Sequence, residues 1–396
     1  MTHNLTISGD AVLVLNNGSS SLKFGVFGEA DGDLQALYRG AAEGVGTGQG
    51  KIWLSEGDGK KLLEETRVLP GQSDVAHVVA EKLSKIPLPK FVGIGHRLVH
   101  GGPSLTAHQE ITGEVLRTLE MASSYAPLHG PAAVKLIEET QYLYPDATQF
   151  ACFDTAFHRT LPEAAARLPL PNSFWDAGIR KYGFHGLSCE SIVHALGSDV
   201  PARMIVAHLG NGASVTAIAN GRSVDTTMGL TPTGGIIMGT RTGDLDPGVL
   251  LYLLKTNGPD VEGLEKLVDK RSGLLGISGA SSDMRALQEA AHENARAQLA
   301  IEMFARSVKK AIAGYVAILG GLDLLAFTGG IGEHDTEVRA EICKGMECFG
   351  LRLEQAANRR SAGTISAADS AAQVRVVTSD EETQIARIVF GLLKAA

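Results

Sequence analysis

The chain has 396 residues, 44% hydrophobic and 20% charged, which excludes an intrinsically disordered protein and gives enough length for two packed cores. A net charge of −8 and a pI near 5.9 argue against nucleic acid or an anionic membrane surface as the main partner, so an anionic ligand would need a local cationic pocket. Cys152, Cys189, Cys343 and Cys348 form no CxxC pair or zinc-finger spacing, the N-terminus lacks a basic segment, and the longest apolar stretch, Ala311–Phe327, carries Asp323; a soluble cytoplasmic protein with free thiols and no membrane span is expected.

In chain order, Ala11–Leu15 reads as a buried strand, Asn16-Asn17-Gly18-Ser19-Ser20-Ser21 as the turn ending it, and Leu22–Phe27 as the returning strand, with Lys23 inside it. Residues 30–70 read as hairpins and a polar loop. Gly48-Gln49-Gly50-Lys51 falls short of a P-loop, because Ile52 stands where Ser or Thr is required. Ser73–Leu83 has the pattern of a capped amphipathic helix. Phe91–Ile94 is a short strand that empties into Gly95-His96-Arg97-Leu98-Val99-His100-Gly101-Gly102, where a ligand-binding loop is expected. A helix through Met121 leads to the rigid turn Ala126-Pro127-Leu128-His129-Gly130-Pro131. Thr148–Phe153 is a strand ending at Asp154, and a carboxylate there either faces a ligand crevice or caps the next helix. Lys181-Tyr182-Gly183-Phe184-His185-Gly186 is a second His-in-Gly loop, followed by Ser188 as the cap of a helix Cys189–Ala195.

The stretch 205–247 carries the most information. Strand Ile205–Ala207 enters the Gly-rich turn Leu209-Gly210-Asn211-Gly212, strand Ser214–Ile218 leaves it, and Asn220-Gly221 is a two-residue hairpin signal before a third strand. Beyond Thr227 comes a long Gly-rich loop with one arginine, Arg241. Glycines let backbone N–H groups approach an anion, so the pattern predicts a phosphate-handling hairpin that delivers a cation. Gly18 and Gly210 each follow a strand at the same offset, nearly half the chain apart, which leaves internal duplication and coincidence both open. Helices follow over Gly248–Lys255 and Gly263–Lys270, then a loop Ser272–Arg285. A long helix Ala295–Ile318 places Leu299, Met303, Val308, Ile312 and Val316 on or near one face. Strand Leu322–Phe327 ends in the Gly turn Thr328-Gly329-Gly330-Ile331-Gly332-Glu333. A last strand Val374–Val377 precedes Ser379-Asp380-Glu381-Glu382 at the start of the C-terminal helix, where carboxylates meet the helix dipole or contribute to a hydrated Mg²⁺ site.

Taken together, the blocks LVLNNGSSSLKF, GHRLVHGG, APLHGP, FDTAFH, KYGFHG, AHLGNGASV, MGTRTGDLDP, FTGGIGE and SDEETQIA resemble the acetate kinase family over essentially the whole chain. The resemblance implies an α/β fold with two duplicated ribonuclease-H-like, actin-like ATPase lobes around a nucleotide cleft, divided as 1–153 plus 383–396 and 154–382. It implies reversible transfer of the ATP γ-phosphoryl group to acetate, with Mg²⁺ or Mn²⁺, in a cytoplasmic homodimer that binds neither nucleic acid nor membrane. By matched position, Arg97 and Arg241 would hold the carboxylate and the transferring phosphoryl, Asp154 would be the catalytic Asp, and His185 would stabilise the transition state. Val99, Leu128, Phe184 and Pro232 would form the acyl pocket with Arg97. Asn16 and Glu381 would organise the metal; Ser19 and Ser21 share the first hairpin with Lys23, which would bind the nucleotide. His208, Leu209, Gly210, Asn211 and Gly212 would form the second phosphate loop, with Asp283, Met284, Arg285, Gly329, Gly330, Ile331 and Gly332 around the nucleoside. Gly130 and Thr233-Gly234-Gly235 depart from the family pattern beside the acyl pocket, which opens acetate against propionate. A different class, an actin- or chaperone-like ATPase switch, would have no use for the acceptor set Arg97, Arg241, Asp154 and His185.

Overall fold

The computed structural model describes residues 9–18, 20–30, 33–123, 130–256, 258–361 and 363–395. The expected roles of Ser19 and Leu128 lie outside these residues. The chain divides into two compact units, one running to Ala156 and resuming at Asp380, the other Phe157–Ser379. Those limits differ by a few residues from the expected 153/154 and 382/383. The reason is bonding: Arg97 holds Asp154, and Arg39 and Asn16 hold Asp380–Glu382, so these residues go with the first unit.

The first unit contains β1 (Ala11–Asn17), β2 (Ser21–Ala30), β3 (Asp33–Glu43), β4 (Gly50–Glu56), β5 (Lys61–Arg67), β6 (Phe91–Leu98), β7 (Gln109–Glu110) and β8 (Thr148–Phe153). They form one sheet in the order β5-β4-β3-β2-β1-β6-β8-β7. The second unit contains β9 (Arg203–Leu209), β10 (Ala213–Ala219), β11 (Arg222–Thr226), β12 (Leu324–Thr328) and β13 (Gln373–Val376), in the order β11-β10-β9-β12-β13. In each unit a three-strand antiparallel meander is followed by two parallel strands: β3-β2-β1 then β6 and β8, β11-β10-β9 then β12 and β13. The duplication left open by the two Gly hairpins is therefore present in the strand order. It matches the α/β ribonuclease-H-like class.

Every residue of β1 is buried, as expected for a central strand covered on both faces. One face packs with the helix Gln72–Leu83 through Val75, Val78 and Val79, and that helix starts at Gly71 without the expected side-chain cap. The helix Glu381–Ala395 packs on β1 and β6 through Ile385, Ala386 and Val389. Here the sequence reading needs a correction. Gly95 to Leu98 belong to β6, not to a loop, because Gly93 and Gly95 let the last helix lie directly on the strand. A Cβ at Gly95 would lie 2.5 Å from Ile385 Cγ2.

In the second unit the helix Gly186–Leu196 covers β9 and β12 through Cys189 and Ile192. It begins three residues before the expected start, so Ser188 is an interior residue, and the capping position falls to His185. The helix Ala295–Leu319 is capped by Asn294, which accepts from the Arg296 and Ala297 amides, and ends at Gly320 in the left-handed conformation. Its buried stripe is Ile301, Phe304, Val308, Ile312 and Val316 at helical spacing; Leu299 and Met303, expected on that face, turn outward at 47% and 38% exposure. The expected loop Ser272–Arg285 contains the short helix Gly273–Ser278, and the helix after it starts at Met284. The Gly turn after β12 is itself the first turn of a helix, Gly329–His334. Among the described residues no helix is long and apolar enough to cross a membrane.

Candidate active site

In the first unit, β1 and β6 run parallel with Leu15 opposite His96, so Asn16 and Arg97 leave their strands at the same end. Asp154 follows β8, the neighbour of β6, and its amide donates to the Leu98 carbonyl. The Arg97 guanidinium forks onto Asp154, with Nη2 at 2.7 Å from Oδ2 and Nε at 3.1 Å. Its Nη1 donates to Asn16 Oδ1 at 3.0 Å and stands 3.7 Å from Glu381 Oε2. The Asn16 amide donates to Glu381 at 3.0 Å and to Glu382 at 2.6 Å. Burial works against the Arg97 charge, but Asp154 and Glu381 outweigh it and raise its pKa. Burial raises the Asp154 pKa, opposed by Arg97, and the bidentate geometry marks the ionised carboxylate. Asp154 therefore orients an arginine. Lys23 is exposed on β2, opposite Asn16 in register, and joins none of these contacts.

The second unit holds another cluster. His185 has φ 58 and ψ 27, a left-handed conformation that a non-glycine residue keeps only when its surroundings impose it. Here they do: Nδ1 bonds Ser214 Oγ at 3.0 Å, and the ring stacks on His208 at 4.2 Å. His208 is held in turn through Nδ1 by Ser188 Oγ at 2.8 Å. Arg241 comes from the Gly-rich loop, and its Nη1 donates to the Pro232 carbonyl at 3.3 Å. Among the described residues it has no carboxylate within ion-pair distance. Burial lowers its pKa, with Asp269 opposing, and the guanidinium keeps its charge. These groups converge over Gly212, where a Cβ would lie 3.4 Å from His185 Nε2 and 3.6 Å from Arg241 Nη1.

Beside that cluster, a cavity of about 740 Å³ is lined by Gly210, Asn211, Asp283, Met284, Arg285, Gly330 and Ile331, within the size range of ligand pockets. Seven of the residues matched to nucleotide contacts thus share one concavity. Lys23, His208, Leu209, Gly212, Gly329 and Gly332 do not line it. Asp283 spends its carboxylate on capping the helix Met284–Ala290.

A family model described as the acetokinase family matches residues 11–387. The chain belongs to the acetokinase family. It is 41% identical to the acetate kinase of Methylocella silvestris, covering 96% of this chain and 98% of that one. The crystal structure of Porphyromonas gingivalis acetate kinase is similar at TM-score 0.85 and 38% identity, covering 97% of this chain and 100% of that one. That of a propionate kinase from Francisella tularensis is similar at TM-score 0.90 and 36% identity, over the same shares.

Among the residues matched to the acetokinase acyl pocket, Val99 lines a small cavity with Arg97, Phe184 is buried at 1% exposure, and Pro232 is half-buried against Arg241. For a metal, no cluster of three or more His, Cys, Asp or Glu exists among the described residues. Glu381 and Glu382 nevertheless bring carboxylate oxygens together at the Asn16 Nδ2, which fits a hard cation that keeps its waters and borrows nucleotide oxygens, while the Asn16 oxygen is turned to Arg97. Glu382, one of the carboxylates read at the start of the last helix, shares Asn16 with Glu381. Two side chains in these networks were not anticipated from sequence: Ser214 orients His185, and Arg39 forks onto Asp380 at 2.7 and 3.2 Å while also bonding Thr383. Arg39, a lone arginine in a strand, carried no signal.

Proposed function

We propose that the protein is an acetate kinase, transferring the ATP γ-phosphoryl group reversibly to acetate with Mg²⁺ to give acetyl phosphate and ADP. It is a kinase whose phosphoryl acceptor is a carboxylate. Acetate is ionised at neutral pH, so its oxygen attacks the γ-phosphorus directly and ADP leaves without any proton being removed. What the reaction needs is neutralisation of two anions and alignment of the reacting oxygens. Arg97 binds the carboxylate, with Asp154 fixing the guanidinium plane. Arg241 meets the transferring phosphoryl, and His185 Nε2 donates to one of its equatorial oxygens as charge shifts in the transition state. Backbone amides around Gly210 to Gly212 hold the remaining phosphates, and the 740 Å³ cavity takes the nucleoside. Glu381 and Glu382, oriented by the Asn16 amide, would hold Mg²⁺, which when bound supplies charge neutralisation on the nucleotide phosphates.

The observation that carries this reading is the space above Gly212, shared by His185 Nε2 and an Arg241 with no carboxylate partner among the described residues. A cation held half-buried without a counter-ion suits an anionic ligand. Similarity to a propionate kinase structure supports propionate as a second acceptor, and one extra methylene separates the two acids by only ~1–3 kcal/mol. The helix Pro247–Lys255 leaves Val249, Leu251, Tyr252 and Leu254 exposed and buries none of its residues, which supports a homodimer through that face. We place the enzyme in the cytoplasm. The test is to supply Mg-ATP with acetate, propionate or butyrate and trap acyl phosphate with hydroxylamine. Hydroxamate from acetate is expected, and its absence with all three acids overturns the reading.

A further inference from the structure

The small cavity beside Arg97 has a polar end for which acetate has no partner. It measures about 20 Å³, room for one water-sized group, and lies wholly within the first unit. Arg97, Val99, His100 and Ser123 line it, with Leu119, Ala122 and Val134 as the apolar part of the wall. Asn17 lines it too. This residue ends β1 one position after Asn16, is 7% exposed, and its Oδ1 has no hydrogen-bond partner among the described residues. A buried amide oxygen without a donor is costly, and a methyl group placed against it leaves it so. Gly130 closes the cavity without a side chain: a Cβ there would lie 2.7 Å from Ser123 Oγ and 2.9 Å from Ser123 Cα, so the two segments touch backbone to backbone.

The geometry points to a hydroxylated short-chain acid as acceptor, its carboxylate on Arg97 and its hydroxyl in this cavity on Asn17. A hydroxyl both donates and accepts, so it satisfies the amide in either orientation of the Asn17 side chain. It also has the volume of one water, which is what the cavity admits. A second carboxylate is excluded by size, since about 20 Å³ admits a single water-sized group. The inference rests on the carboxylate-kinase reading and goes further by naming the acid.

Glycolate and propionate differ by a hydroxyl in place of a methyl, as do 3-hydroxypropionate and butyrate. The experiment measures kcat/KM for all four with the intact protein and Mg-ATP, with acetate alongside to test the kinase reading itself. In at least one pair the hydroxy acid should exceed its methyl isostere tenfold or more. Asn17→Leu, of similar volume, should lower that ratio at least tenfold. Should that variant fail to fold, Asn17→Ala is read for the same loss. A preference under tenfold in both pairs, or one unaffected by the Asn17 substitutions, overturns the hydroxyl subsite while acetate turnover leaves the kinase reading standing. Failure to phosphorylate any acid removes both.

Discussion

Arg241 and His158 show how differently two buried cationic side-chain types are used. Among the described residues Arg241 has no carboxylate within ion-pair distance, and its acceptors are the Pro232 carbonyl and the Met238 sulfur. Replacing it with alanine should cost about 10²–10³-fold in kcat, the usual loss for one preorganised transition-state donor, with the melting temperature nearly unchanged. Initial-rate assays beside a thermal melt check both halves, and near-normal turnover would remove Arg241 from the reaction. His158 is the opposite case. It donates from Nε2 to the Phe184 carbonyl at 2.9 Å and meets Ser223 Oγ through Nδ1 at 2.9 Å, so both ring nitrogens are used in the neutral form. Burial pushes its pKa down to about 4, against the opposing pull of the Phe184 carbonyl, and burial does the same to His96. A histidine whose folded pKa lies below its unfolded one binds fewer protons when folded. Stability should therefore fall as pH drops from about 6.5 to about 4, by at most about 3 kcal/mol per residue. Urea unfolding at pH 7, 5.5 and 4 measures this, and the gap between wild type and His158→Gln should narrow toward pH 4; a constant gap would mean that His158 does not titrate there.

At the scale of elements, the last helix connects packing to chemistry. Its body lies on β6 only because residues 93 and 95 are glycines, and its first turn carries Glu381 and Glu382 to Asn16. Asp380 caps that turn by accepting from the Thr383 amide at 3.0 Å, and Arg39 on β3 forks onto Asp380. Gly95→Ala sets a methyl against Ile385 and Val389 and should destabilise by ~1–3 kcal/mol, the usual cost of overpacking. Because the collision pushes on the helix, the apparent KM for Mg-ATP should rise with it. A urea titration and a Mg-ATP series on one preparation test the link; lost stability with an unchanged KM would separate the helix body from its acidic first turn. This level also shows what the sequence made legible. β8 was readable to the residue, and the Asn220-Gly221 hairpin was clear, because strand ends and primed turns have local signals; Asn220 and Gly221 both adopt positive φ. The inclusion of Arg97 in β6 was not readable. Glycines look like loop until the helix that packs on them, some 290 residues later, is known. The same holds for Arg39 and Ser214, whose partners are distant in sequence or ordinary in type. Motif matching could gather Gly210, Asn211, Asp283 and Gly330 as one nucleotide set. It could not say that Asp283 caps a helix or that Met284 is buried.

The whole chain passes out of the first unit at Ala156, builds the second without interruption, and returns at Asp380. The second unit is thus a single segment with its own five-stranded sheet and its own core of Ile192, Met204, Val206, Ile218 and Leu324. It also contains the complete lining of the 740 Å³ cavity and both His185 and Arg241. The first unit cannot be cut out in one piece, since its sheet needs the last helix against Gly93 and Gly95. Two consequences differ in kind. A fragment 157–379 should fold cooperatively, because nothing in its sheet order calls on a strand from elsewhere. It should bind ATP, since the cavity proposed for the nucleoside is intact, and form no acyl phosphate, since Arg97, Asp154, Asn16 and Glu381 are gone. Calorimetric titration with ATP and the hydroxamate assay, run on fragment and full chain together, separate nucleotide binding from transfer. A folded fragment that no longer binds ATP would show that the cavity does not hold the nucleotide by itself, and the assignment of Asp283, Arg285 and Ile331 would have to be abandoned. The exposed face of Pro247–Lys255 makes a control within the same material: Leu251→Glu with Tyr252→Glu should turn a dimer into a monomer by light scattering, in fragment and full chain alike, while ATP binding persists.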